Sequence, residues 1–84
     1  MDWKTHISSE PSILFGKAVI KNTRIPVELI LEKLGHGYSF ESLKQAYPRL
    51  TNDDILACLL FAAHLEMMQG KFSVINDKRL RIKE

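Results

Sequence analysis

Only one cysteine, Cys58, stands in the whole sequence. That excludes an intramolecular disulfide and fits a reducing, cytoplasmic setting. Long hydrophobic runs are also missing. The longest, Ile55 to Ala63, spans nine residues, against about 20 for a helix that crosses a bilayer. The opening MDWKTHISSEPS has no apolar segment of the kind a secretory leader needs, so a soluble, cytoplasmic protein is expected. Charge of one sign is scarce as well. A net of +2 over 84 residues is too small to announce a nucleic-acid binder by itself, and the distribution of charge matters more. There is no internal repeat and no low-complexity segment.

What is present amounts to one small domain. The apolar fraction of 45% supplies a modest core, because a chain of this size buries only roughly 60–65% of its unfolded surface. Oligomerisation is therefore expected. The basic excess sits at the end of the chain: residues 71–84 carry Lys71, Lys78, Arg79, Arg81 and Lys83 against Asp77 and Glu84, whereas residues 1–70 are net acidic by one. The chain reads as a single domain over 1–70 and a basic C-terminal tail over 71–84.

Along the chain, Ile13-Leu14-Phe15 and Ala18-Val19-Ile20 are β-prone runs on either side of Gly16-Lys17, which predicts a hairpin or a pair of small strands. Asn22 is a plausible turn centre, since asparagine tolerates positive φ. Pro26 suits the start of a helix. Val27, Ile30, Leu31 and Leu34 then recur at helical spacing until Gly35 and Gly37. Ser39 caps a second helix over Phe40–Ala46, which Pro48 closes. Thr51, Asp53 and Asp54 open a third that runs to about Gln69, before Gly70. The expected fold is mainly α: a small N-terminal β element followed by three helices. The short Tyr47–Leu50 turn is compatible with a helix-turn-helix.

The third helix is a poor DNA reader by its own chemistry. Its first turn holds Asn52, Asp53 and Asp54, and two carboxylates repel a phosphate lattice. From Ile55 to Met68 only His64 and Glu66 are clearly polar. A helix apolar nearly all round is buried on more than one side, which one small chain struggles to achieve. One face is expected to pack on its own domain and another on a second copy, through Ile55, Leu59, Leu60, Ala63 and Met67 together with the small sheet; the alternative is that this helix is simply the core of a monomer.

Two basic stretches remain. Lys17, Lys21, Asn22, Thr23 and Arg24 supply charge and neutral donors suited to phosphate, joined by Lys44 and Arg49. The same lysines also suit an edge strand protected against aggregation, and Arg24 is placed to pair with Glu28. In the tail KFSVINDKRLRIKE, Arg79 and Arg81 alternate with Leu80 and Ile82. That pattern reads equally as a strand added to a partner's sheet and as a loose terminus, with a DNA-contacting wing as a third reading. No enzyme is indicated. His6, His36 and His64 show no metal spacing, Cys58 lies among Leu56, Ala57, Leu59 and Leu60 as an inert buried thiol would, and phosphate-loop, dinucleotide and nucleophile-elbow motifs are all missing. No metal and no cofactor is expected.

GKAVIKNTRIPVELILEKL followed by GYSFESLKQAYPRLTNDDILACLLFAA closely resembles the small bacterial family known as domain of unknown function 433. That family reads Gly-Lys-Pro-Val-Ile, Gly-Thr-Arg-Ile-Pro-Val, a Gly-x-Ser turn, Tyr-Pro-x-Leu-Thr, an acidic pair with Ile, and an Ala-rich helix. Ala18 replaces the usual proline, and Asn22 replaces a glycine while keeping the positive-φ option. The resemblance implies a homeodomain-like helix-turn-helix fold and a likeness to antitoxins, which bind and silence a PIN-like ribonuclease toxin and often repress their own promoter. It supplies no functional residues. On the charge argument, Arg79 and Arg81, with Leu80 and Ile82, are the expected contacts to the acidic site of such a toxin, and the 17–24 junction with Lys44 and Arg49 is the expected contact to operator DNA. The alternatives are a stand-alone helix-turn-helix regulator and a structural dimerisation module.

Overall fold

The computed structural model describes residues 1–69. Its regular elements are β1 (Ile7–Ser8), β2 (Val19–Ile20), α1 (Val27–Gly35), α2 (Phe40–Ala46) and α3 (Asn52–Gln69), with short 3-10 turns at Trp3–Thr5 and Leu14–Gly16. The chain is mainly helical with a small N-terminal sheet, as expected. The pairing within that sheet differs from the expectation. β2 pairs antiparallel with β1, Ile7 opposite Ile20 and Ser8 opposite Val19, and Ile13–Phe15 is not a strand. Leu14 and Phe15 both take positive φ, 50° and 57°, followed by Gly16 at 83°. This turns the segment into a tight left-handed loop, closed by Gly16 N–H to Ile13 O at 3.0 Å and by a Ser9 hydroxyl donating to Gly16 O.

The other side of β2 is held by the turn that follows it. Ile20 N–H donates to Ile25 O (2.9 Å) and Val27 N–H to Ala18 O (3.0 Å). Asn22 sits at φ 65°, and Thr23 Oγ1 donates to Ile20 O while accepting from Ile25 N–H. The 21–24 turn is thus fixed by its own hydrogen bonds before any tertiary contact.

Helix ends follow sequence chemistry. Pro26 is the N-cap of α1. At the other end Tyr38 N–H reaches Lys33 O and Gly37 N–H reaches Leu34 O, both at 3.0 Å, with Gly37 at φ 96°. That is a left-handed glycine stop, a conformation few other residues accept. Ser39 and Ser42 exchange side chain-to-backbone hydrogen bonds at the start of α2. For α3 the reciprocal box is Thr51 with Asp54: Asp54 N–H donates to Thr51 Oγ1 (3.1 Å) and Thr51 N–H to Asp54 Oδ2 (3.0 Å).

The core is built from Ile20, Val27, Ile30, Leu43, Leu50, Ile55 and Cys58. Ile55 is completely buried in its own protomer. This corrects its assignment to a surface between two copies: on a helix apolar all round, sequence does not say which of the neighbours Ile55 and Leu56 faces inward. Burial pushes the Cys58 thiol up to about 12, helped by the negative charge of Asp54 one turn earlier. The N-terminal segment straps across α3. Trp3 packs on Phe61 and His64 with ring centroids 5.4 and 5.2 Å apart, and His6 Nδ1 donates to Asp54 Oδ1 at 2.9 Å.

Asp54 therefore serves the cap and the strap together. Asp54→Ala should cost about 1–3 kcal/mol in urea unfolding, since it removes both a capping interaction and a partly buried hydrogen bond. A loss within a few tenths of a kcal/mol would show that neither contact contributes.

Candidate nucleic-acid interface

The 21–24 turn and the α2–α3 connection come together in space. A concavity of about 850 Å³ is lined by Lys21, Asn22, Thr23 and Arg24 on one side and by Arg49 on the other. Ser8, Glu10, Ile13 and Ile25 complete its walls. Five of the seven residues expected to contact nucleic acid therefore share one groove, although Arg49 is 25 positions from Arg24 in sequence. Its charge is predominantly positive, with three cations against Glu10. Among the described residues none of Lys21, Arg24 and Arg49 lies within 4.0 Å of a carboxylate. Arg24 does not pair with Glu28, as its spacing suggested. Lys17 takes that partner at 2.7 Å, because the left-handed loop brings Lys17 alongside α1.

The remaining two expected residues lie elsewhere. Lys17 and its ion pair rim a second, smaller crevice of about 280 Å³, lined by Ala18, Val27, Leu31, Phe61 and Leu65. Lys44 is half-buried on α2 and sits 3.9 Å from Glu41. Arg79, Leu80, Arg81 and Ile82 lie outside the described residues.

Three cations against one carboxylate give the groove a chemistry that favours an anion. Arginine offers planar, multiply donating contacts to phosphate oxygens, and Asn22 and Thr23 add neutral donors. The N-terminus of α3 is not free to join in that task. Thr51 and Asp54 spend their side chains on the cap, and exposed Asp53 contributes negative charge.

A second surface lies on the outer side of α3. At 100° per residue, Leu56, Leu59, Leu60, Ala63 and Met67 share the face opposite Cys58 and Phe61. Leu56, Leu59 and Leu60 are 41–43% exposed and Met67 is 77% exposed. Of the five residues expected to pair two copies, Leu59, Leu60, Ala63 and Met67 are on this face, and Leu56 takes the place of Ile55. Sequence reasoning also missed Phe15, which it placed in a strand; the ring is 99% exposed. Among the described residues no group of three metal-ligating side chains comes together, and no helix is long and apolar enough to cross a membrane.

Together these features define a small β-capped three-helix domain with a basic groove beside the turn into its last helix. The chain belongs to the family described as "Protein of unknown function (DUF433)", which matches residues 7–62. It is similar to "Uncharacterized protein y4eO" of Sinorhizobium fredii, 30% identical over 71 residues that make up 84% of this chain and 32% of that protein. Among solved structures it is similar to the crystal structure of a DUF433 member from Anabaena variabilis, with 30% identity and a TM-score of 0.69 over 75% of this chain and 62% of that one. The chain thus spans about a third of the length of the curated relative and under two thirds of the solved one.

Proposed function

We propose that this is an antitoxin-like protein that binds operator DNA through the Lys21–Arg24/Arg49 groove and a PIN-like ribonuclease toxin through its basic tail. The observation that carries the DNA half is the convergence of Lys21, Arg24 and Arg49, unpaired among the described residues, on one concavity. The toxin half rests on the tail sequence and on the family resemblance. In this reading a second copy packs on the outer face of α3, and the resulting two-fold protein meets a two-fold operator. A stand-alone DNA-binding regulator is favoured by the same groove and differs only in lacking a toxin. A structural dimerisation module is favoured by the exposed α3 face alone.

The DNA half is tested by titrating promoter DNA upstream of its own gene at several salt concentrations. Logarithmic affinity should fall linearly with logarithmic salt, and Arg49→Ala should weaken binding and flatten the slope by about one. Salt-independent or undetectable binding removes this half of the function. For the pairing of copies, sedimentation should give a dimer that Leu60→Asp converts to a folded monomer; a wild-type protein that stays monomeric at high concentration ends that assignment. Deleting residues 71–84 should abolish capture of a small ribonuclease from nuclease-treated native lysate while leaving the helical circular-dichroism signal intact. Undiminished capture by the truncated chain would remove the tail from the toxin contact.

A further inference from the structure

Phe15 is the most exposed large apolar side chain in the described part of the protein, at 99%. It is also held in a conformation that chain physics disfavours, since Leu14 and Phe15 take positive φ in succession. Non-glycine residues rarely enter this region, and such strain clusters at functional positions. The loop holds its shape through Ile13 N–H to Glu10 O, Gly16 N–H to Ile13 O, Lys17 N–H to Leu14 O and the Ser9 hydroxyl to Gly16 O. None of these bonds involves the ring. The fold fixes the backbone that presents Phe15 and buries none of the side chain.

The position of this loop gives the ring a context. Its base belongs to the basic groove, because Ser8, Glu10 and Ile13 are groove walls. Phe15 crowns the same loop two residues beyond Ile13. An exposed aromatic on the loop whose base walls the groove of Lys21, Arg24 and Arg49 offers the two elements of a nucleic-acid contact, cations for phosphate and a flat apolar ring for a base.

We infer that Phe15 contacts a base face of the nucleic acid whose phosphates lie on Lys21, Arg24 and Arg49. This rests on the DNA reading of the groove and adds a base contact to it. The contact takes one of two forms with the same chemistry: a wedge between stacked base pairs of a duplex, or a platform under an unpaired base. The competing occupant is the crevice of about 280 Å³ between α1 and α3 of a second copy. The outer face of α3 already offers a larger apolar surface for pairing copies, and the cations lie on the groove whose wall carries the loop, so nucleic acid is favoured.

The experiment is fluorescence anisotropy with labelled promoter duplex and with each of its single strands, on wild type, Phe15→Ala, Phe15→Trp and Arg49→Ala. Phe15→Ala should weaken binding by about five- to a hundredfold, the range of one base–aromatic stack, and leave the salt slope unchanged because no charge is removed. Phe15→Trp should restore affinity, and its emission should be quenched on binding relative to wild type, whose Trp3 is packed on Phe61 and His64. Loss on the duplex identifies the wedge; loss on single strands alone identifies the platform. Because the ring is fully exposed, Phe15→Ala should keep the wild-type circular-dichroism spectrum and unfolding midpoint. If Phe15→Ala binds as wild type does while Arg49→Ala is weakened, the inference falls and the DNA reading stands. If no variant binds either polymer with salt dependence, both fall. Reduced self-association of Phe15→Ala with unchanged nucleic-acid affinity would overturn the inference in favour of the second copy.

Discussion

A helix of 18 residues with apolar side chains around its circumference has to be covered on several sides, and the rest of this chain is arranged to meet that demand. α1 packs along one side of α3, through Val27 and Ile30 into the shared core, and Leu43 of α2 joins them. The N-terminal strap covers a further side. Its two anchors, His6 on Asp54 and Trp3 on Phe61 and His64, are about two to three turns apart along α3. The short sheet follows from the strap, because holding His6 against Asp54 places Ile7 and Ser8 beside Ile20 and Val19. The supply of cover then runs out. Leu56, Leu59, Leu60, Ala63 and Met67 stay in contact with solvent, and they form a continuous face.

The same demand decides where positive charge goes. The start of α3 needs a cap and a point of attachment for the strap, and Asp54 provides both with its two carboxylate oxygens. A carboxylate used in this way leaves that helix end negative, so the usual reading position of a helix-turn-helix is occupied by structure. The cations stand instead on the flanking turns, Lys21 and Arg24 after β2 and Arg49 before α3. Both turns are held by local backbone hydrogen bonds, Thr23 N–H to Ile20 O in one and Leu50 N–H to Tyr47 O in the other.

Whatever is encoded by neighbours in sequence could be read from it. The bounds of α1 and α2, the Ser39 and Thr51 caps, the glycine stop after α1 and the positive φ of Asn22 depend on residues within a few positions of one another. Thr51 and Asp54, three apart, are an example. The groove was half visible, since its residue types were recognisable but the meeting of Arg49 with the 21–24 turn is a tertiary fact. β1 was invisible. Two residues, Ile7 and Ser8, carry no alternation, and they are strand only because His6 and Trp3 are fixed on α3. Phe15 was misplaced because an apolar triplet next to a glycine resembles a strand end, and nothing local reveals two successive left-handed residues. Ile55 and Leu56 could not be told apart in orientation. When every side of a helix is apolar, periodicity has no phase, and only the partners supply one.

α3 also sets the distance between the surfaces. Arg49 stands just before its first turn, and the basic segment 71–84 follows its last. Eighteen residues at 1.5 Å each place about 27 Å between those two ends. The exposed face of α3 lies between the two ends. Pairing copies there would leave the groove and the tail attachment accessible on each protomer, whereas pairing through the sheet would crowd the loop that carries Phe15. Under the proposed function, a second copy on this exposed face would add its surface without covering the groove lined by Lys21, Arg24 and Arg49.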